Sequence, residues 1–293
     1  MRTDTYFRSF LELDTQIPES VTYQPVKVAE MNDLNLGGRD FYYDRELHLM
    51  FVAMSDMNIT SRIDAYLTNF SLPWEKKTAN DNYVSVGALS TYKVIVDKDD
   101  NWEFLRMWTV SFPSQTNVLE WCREQETLFV GLDSGKVHIY KVPAKVNYMT
   151  YDEQEGIKVH GKRVMGLYYN SSINMLYSIG EDGRFKITDI NLKSTVYEVS
   201  PGKSGLKYMV YEQQRGIFIL ADADGFIYLY NALTNPPELL ASIQSQSRSC
   251  IRGLTLSDGG YYLFAGASDG SMSVFEMGKP GKERFIKQLA HYQ

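Results

Sequence analysis

The chain has 293 residues, 44% hydrophobic, 23% charged and 13% aromatic, a balance that excludes a disordered or fibrous polypeptide and allows a large core. Its net charge of −6 disfavours non-specific attraction to phosphate backbones, so nucleic acid is excluded as a default partner. No apolar run approaches the roughly 18 residues needed to span a membrane, which leaves no transmembrane segment.

In chain order, the opening MRTDTYFRSF is polar and charged, unlike a secretory leader. VTYQPVKVAEM (21–31) reads as a strand. ELHLMFVAMSD (46–56), SRIDAYL (61–67), YVSVGAL (83–89) and TYKVIVD (91–97) follow as alternating strands with eroded turns. From residue 117 the pattern sharpens. NVLEW (117–121), RVMGLYY (163–169), LKYMVYE (206–212) and CIRGLTL (250–256) each precede a hairpin. The hairpins are LFVGLDSGKVHIYKV (128–142), LYSIGEDGRFKITDI (176–190), FILADADGFIYLYNA (218–232) and LFAGASDGSMSVFEM (263–277). STVYEVS (194–200), PELLASI (237–243) and RFIKQLA (284–290) read as fourth strands.

The turn glycines Gly135, Gly183, Gly225 and Gly270 recur at intervals of 48, 42 and 45 residues. Asp-Gly or Ser-Gly between alternating runs supplies the positive φ that a tight hairpin needs. Four strands at a period of roughly 40–45 residues is the blade of a β-propeller. The fold class predicted is therefore all-β, a single propeller domain over 1–293. Residues 1–40 form an N-terminal arm with a ring-closing strand, and 41–293 form four-stranded antiparallel blades. The weak N-terminal strands supply two more blades, which makes six. Segment 21–31 with the chain end completes a seventh, and seven is preferred because closure removes an unpaired edge.

The strings G-A-S-D-G-S-M-S-V-F-E (266–276) and A-D-A-D-G-F-I-Y-L-Y-N (221–231) resemble the WD-repeat family. The family's terminal Trp is replaced by Tyr140, Thr188, Tyr230 and Phe275, so these are divergent repeats. Strand order and spacing across 84–277 look most similar to the propeller of the WD-and-FYVE-domain adaptors. A FYVE finger needs many cysteines, and this chain has two, Cys122 and Cys250. The resemblance implies a structural network of His160, Ser178 and Asp182, with Thr188 where the fourth member would stand. In composition this set looks like a catalytic triad; in the family it ties one blade's outer strand to its inner loop.

Chemistry is otherwise sparse. Pro201-Gly202-Lys203-Ser204 approaches a phosphate-binding loop but has Tyr197 where the first Gly is required, and there is no G-x-S-x-G or H-E-x-x-H string. His48, His138, His160 and His291 are scattered, and no metal site, catalytic residue or cofactor is expected. The acids Asp133, Asp182, Asp224 and Asp269 recur once per blade, as turn geometry demands. Asp222-Ala223-Asp224-Gly225 lacks the oxygen ligands of a calcium loop. The cysteines read as reduced thiols in an intracellular protein, and the sequons at Asn58, Asn69 and Asn170 gain no support from a leader. Lys279, Lys282, Arg284 and Lys287 read as a solvated loop and strand end. Trp74, Trp108 and Trp121 read as core residues, with Trp102, at a loop edge, as a partner contact.

The resulting expectation is a non-catalytic protein–protein interaction scaffold, with no small-molecule substrate. Nearly the whole chain is consumed by the propeller, which implies a subunit of a larger cytoplasmic or cytoskeletal assembly, ciliary machinery being one home. Loops preceding each blade's first strand place Asn117, Arg163, Ser204 and Arg248 at the partner surface. The alternatives are a phosphoinositide-binding propeller in membrane trafficking and a propeller-based hydrolase. The first calls for F-R-R-G, which Q-R-G (214–216) and I-R-G (251–253) do not match. The second calls for acids on the innermost strands, which read as mainly apolar.

Overall fold

Period-two apolar patterns become strands throughout the computed structural model, which describes residues 37–55, 87–98, 102–112, 114–142, 152–277 and 286–292. These strands build five antiparallel sheets of four strands each. The first holds β1 (Gly37–Asp44), β2 (Leu49–Ser55), β3 (Gly87–Val96) and β4 (Trp102–Phe112). The second holds β5 (Thr116–Cys122), β6 (Thr127–Leu132), β7 (Lys136–Lys141) and β8 (Asp152–Lys158). The third holds β9 (Val164–Asn170), β10 (Met175–Gly180), β11 (Phe185–Asp189) and β12 (Ser194–Val199). The fourth holds β13 (Leu206–Glu212), β14 (Ile217–Asp222), β15 (Phe226–Asn231) and β16 (Glu238–Gln244). The fifth holds β17 (Ile251–Leu256), β18 (Tyr262–Ala267), β19 (Met272–Met277) and β20 (Ile286–Tyr292). In each, sequential strands are hydrogen-bonded neighbours.

Five sheets correct the expected seven blades, and the six held as the alternative. Among the described residues, the chain before β5 yields one sheet, not two. The end of YVSVGAL and most of TYKVIVD form a single strand, β3, because the backbone stays extended through Ser90 and Thr91. Both residues are buried, and their register runs unbroken against β2. The chain end is equally committed: β20 pairs along β19, Met272 opposite Tyr292, as the fourth strand of the last sheet. SRIDAYL (61–67) and VTYQPVKVAEM (21–31) lie outside the described residues.

The described residues divide into two compact units. One takes 37–180 and 186–198; the other takes 181–185, 199–277 and 286–292. In the first unit, Phe51, Leu89 and Phe112 of one sheet pack with Leu119, Leu128, Val130 and Tyr140 of the next. A second layer joins Phe129, Val137 and Ile139 to Val164, Leu167 and Leu176. In the other unit, Ile219, Ala221 and Leu229 pack against Ile251, Leu263 and Phe275. The second strands β6 and β14 are buried on both faces along their whole length. Each fully buried Val, Leu or Ile contributes about 1.5–3 kcal/mol. Outer strands are the opposite case: β12 is largely exposed.

Candidate functional site

The sheets repeat a tight turn between second and third strands, and the polar side chains gather there. Asp133 opens the β6–β7 turn, its N–H held by the Gln115 carbonyl at 2.8 Å. Its carboxylate receives Asn117 Nδ2 on one oxygen. The other oxygen pairs with Arg163 Nε at 3.0 Å, from the segment entering the third sheet. Two of the four positions expected at a partner surface, Asn117 and Arg163, thus converge on one turn acid. The other unit repeats this arrangement, with Glu181 of the β10–β11 turn pairing Lys207 of β13 at 2.5 Å. Of the remaining positions, Ser204 is half-buried, and its Oγ has no hydrogen-bond partner among the described residues. Arg248 is exposed with φ +53°. Trp102 opens β4, and its side chain lies outside the described residues.

His160 and Ser178 are both buried, and His160 Nε2 shares a hydrogen bond of 3.0 Å with Ser178 Oγ. Thr188 is buried with no partner for its hydroxyl among the described residues. Asp182 accepts the Arg184 N–H at 3.2 Å across its own turn. Asp224 and Asp269, like Asp182, stand immediately before the turn glycine, whereas Asp133 stands one residue earlier.

Asp222 is buried and serves its turn: one oxygen accepts Asp224 N and Phe226 N, the other accepts the Tyr228 hydroxyl at 2.9 Å. Burial, with the Asp222 carboxylate adding to it, pushes the Tyr228 phenol upward. His138 packs edge-on to Phe112 and stacks on Tyr140. His48 meets the Tyr43 hydroxyl at 3.3 Å, and His291 meets Ser273 Oγ at 3.1 Å. Among the described residues no three His, Cys, Asp or Glu side chains are grouped to hold a metal ion. Both cysteines are free thiols. Asn170 accepts the Ser172 N–H. Asn58, Asn69, Trp74, Lys279, Lys282 and Arg284 lie outside the described residues, as do the side chains of Trp108 and Lys287.

Sequence reasoning missed the acids of the first strands. Asp44 ends β1, fully buried, and accepts Trp121 Nε1 at 3.0 Å, Arg123 Nε at 2.6 Å and the N–H groups of Glu46 and Leu47 at 3.0 Å. Burial pushes its carboxyl up, but these bonds outweigh burial and hold it below the usual carboxylate range. Trp121 is buried as expected, packed on Phe51 at 4.9 Å. Asp40 of β1 accepts Leu119 N of β5 at 2.8 Å, and Glu120 of β5 accepts Tyr169 N of β9 at 3.2 Å. Each acid thus caps a backbone donor on the next sheet's first strand. Burial pushes Asp40 up against its backbone bonds. Glu120 is pushed up to about 7 by burial, against the Tyr169 bond, with the Asp40 charge adding. The missed signal was an isolated acid inside an alternating first strand.

The chain matches no protein-family model. Over 216 residues it is 24% identical to Protein TOPLESS-RELATED PROTEIN 2 of Oryza sativa subsp. japonica, covering 67% of this chain and 17% of that protein's length. Among solved structures it resembles Sqt1 of Chaetomium thermophilum bound to the N-terminus of the ribosomal protein L10, with a TM-score of 0.56 and 18% identity, over 71% of this chain and 58% of that one. Sqt1 from the same organism, in a second structure, gives 0.58 and 13% over 88% and 72%. A chain of a Mitotic Checkpoint Complex gives 0.56 and 13% over 92% and 89%. At such identities the fold is what is shared, and that fold is an all-β propeller with four-stranded antiparallel blades.

Proposed function

We propose that the chain is a non-catalytic protein–protein interaction scaffold, one subunit of a larger cytoplasmic or cytoskeletal assembly, with ciliary machinery as one home. The observation that carries this reading is the convergence of Asn117 and Arg163, from two successive sheets, on the Asp133 turn. It brings a first-strand side chain of one sheet and the loop entering the next together on one turn held by a rigid scaffold, the arrangement suited to recognising another protein. The solved neighbours support it: one is bound to the N-terminus of a ribosomal protein and another sits in a checkpoint complex. A propeller-based hydrolase calls for acids on such strands, and those of the described first strands are already engaged: Asp40 and Glu120 accept amides of the next sheet's first strand, and Asp44 and Glu212 accept amides of their own turns. The order and spacing of strands across 84–277 support the further proposal of kinship with the WD-and-FYVE-domain adaptors.

The test is isolation of the tagged chain from native extract, with mass spectrometry of what accompanies it. Partners in constant ratio to the chain are expected. Recovery as a free monomer under several mild lysis conditions would count heavily against the proposal.

A further inference from the structure

Positive charge gathers around the β6–β7 turn in a chain whose net charge is −6. Lys136 is the first residue of β7 and Lys158 the last of β8, and the two stand directly opposite in the ladder. Like charges so placed destabilise a sheet, and an anion between them reverses that interaction. The chain beyond β8 then folds back on the turn. Val159 and His160 donate their N–H groups to the Gly135 carbonyl, both at 3.0 Å. The Lys162 carbonyl lies close against Gly135, and Arg163 follows. Lys136, Lys158, Lys162 and Arg163 are all exposed.

The one acid at the turn is Asp133, already engaged by Asn117 and Arg163. Lys158 Nζ reaches the Ser134 carbonyl. Among the described side chains no carboxylate pairs with Lys136, Lys158 or Lys162. The acidic start of β8 is at the other end of the ladder, where Asp152 and Glu153 stand opposite Lys141 and Tyr140. Among the described side chains, Arg163 is thus offset by Asp133, and three lysines beside it face no carboxylate.

We propose that this rim, formed by Lys136, Lys158, Lys162 and Arg163 around the Asp133–Gly135 turn, docks an acidic peptide segment of a partner protein. This rests on the scaffold reading and names the chemistry of its partner. A short run of carboxylates matches a local cluster of this size. A nucleic acid or an anionic membrane extends beyond so local a cluster, and a chain of net charge −6 offers it no general attraction.

The test uses the full chain and a fluorescein-labelled oligo-glutamate peptide, with oligo-lysine, single-stranded oligo-dT and phosphoinositide-containing vesicles beside it. The glutamate peptide should bind alone, and more weakly as salt rises. The triple variant Lys136→Gln/Lys158→Gln/Lys162→Gln should weaken it about tenfold. Its melting temperature should hold or rise, since the three side chains are exposed and the Lys136–Lys158 repulsion is removed. The charge-reversed Lys136→Glu/Lys158→Glu pair should weaken binding further. No binding of the glutamate peptide, equal affinity in the triple variant, or tighter binding of oligo-dT or vesicles overturns the proposal. Isolation of the triple variant from native extract separates the two readings. Partners retained in full would leave the scaffold standing and remove this surface from it; partners absent even from wild type would remove the scaffold.

Discussion

Gly135, Gly225 and Gly270 adopt nearly the same backbone, with φ of +77°, +79° and +86°. A side chain at any of them meets the same left-handed strain, about 1 kcal/mol or more. Their surroundings differ. A Cβ at Gly135 would collide with the His160 and Lys162 carbonyl oxygens, at Gly225 it would stand 3.0 Å from the Ser249 carbonyl, and at Gly270 it meets nothing within 4 Å. Substitution by Ala should therefore destabilise in the order Gly135, Gly225, Gly270, read as urea midpoints at constant m-value. Gly225→Val should cost about 1 kcal/mol or more; unchanged melting would argue against the strained turn. Ser178→Ala should cost about 1–3 kcal/mol, because it removes a buried hydrogen bond of His160 Nε2. A loss within error would mean that water or another group replaces the hydroxyl.

At the scale of the element, acids tie successive first strands, Asp44 through the Trp121 indole and Glu120 through the Tyr169 amide, and these two ties answer pH in opposite directions. Asp44 is held below its ordinary value. Its contribution is present above the unfolded carboxylate value and is lost as pH falls through the folded one. Asp44→Ala should cost about 1–3 kcal/mol at neutral pH by stranding the Trp121 indole and the turn amides, and should shrink the acid-side fall. Glu120 is raised from 4.5 to about 7. The folded state then binds the proton more tightly than the unfolded chain, so stability declines as pH rises from about 4.5 to 7. Glu120→Gln, which keeps the acceptor for Tyr169, should match wild type below that window and exceed it above. Parallel stability profiles for the two proteins across the window would show that Glu120 titrates normally.

These elements also mark what was legible in advance. The hairpins from residue 128 onward carry their own turn chemistry, so the glycine positions and flanking strands stand where the repeat placed them. The strands missed were β1, β4 and β8. β8 reads DEQEGIK, with too little apolar alternation to announce itself. An edge strand needs a partner on one side alone, so its sequence can stay polar. Asn117 and Arg163 were placed by family position, but that they meet at Asp133 depends on a contact between residues far apart in sequence.

For the whole molecule, we propose that residues 1–293 form one domain. Calorimetry should then give a single transition with equal calorimetric and van't Hoff enthalpies, and two resolved transitions would divide the chain at the level of stability. Local sequence determined the β class, the repeat period and the four glycine turns, because a positive-φ turn and a period-two strand are fixed by adjacent residues. The number of sheets was decided by tertiary structure. Whether two apolar runs make two strands or one depends on what lies opposite them, and β2 and β4 hold β3 extended through Ser90. The same holds for charge: Lys136 and Lys158 are 22 positions apart in the chain and directly opposite in the ladder.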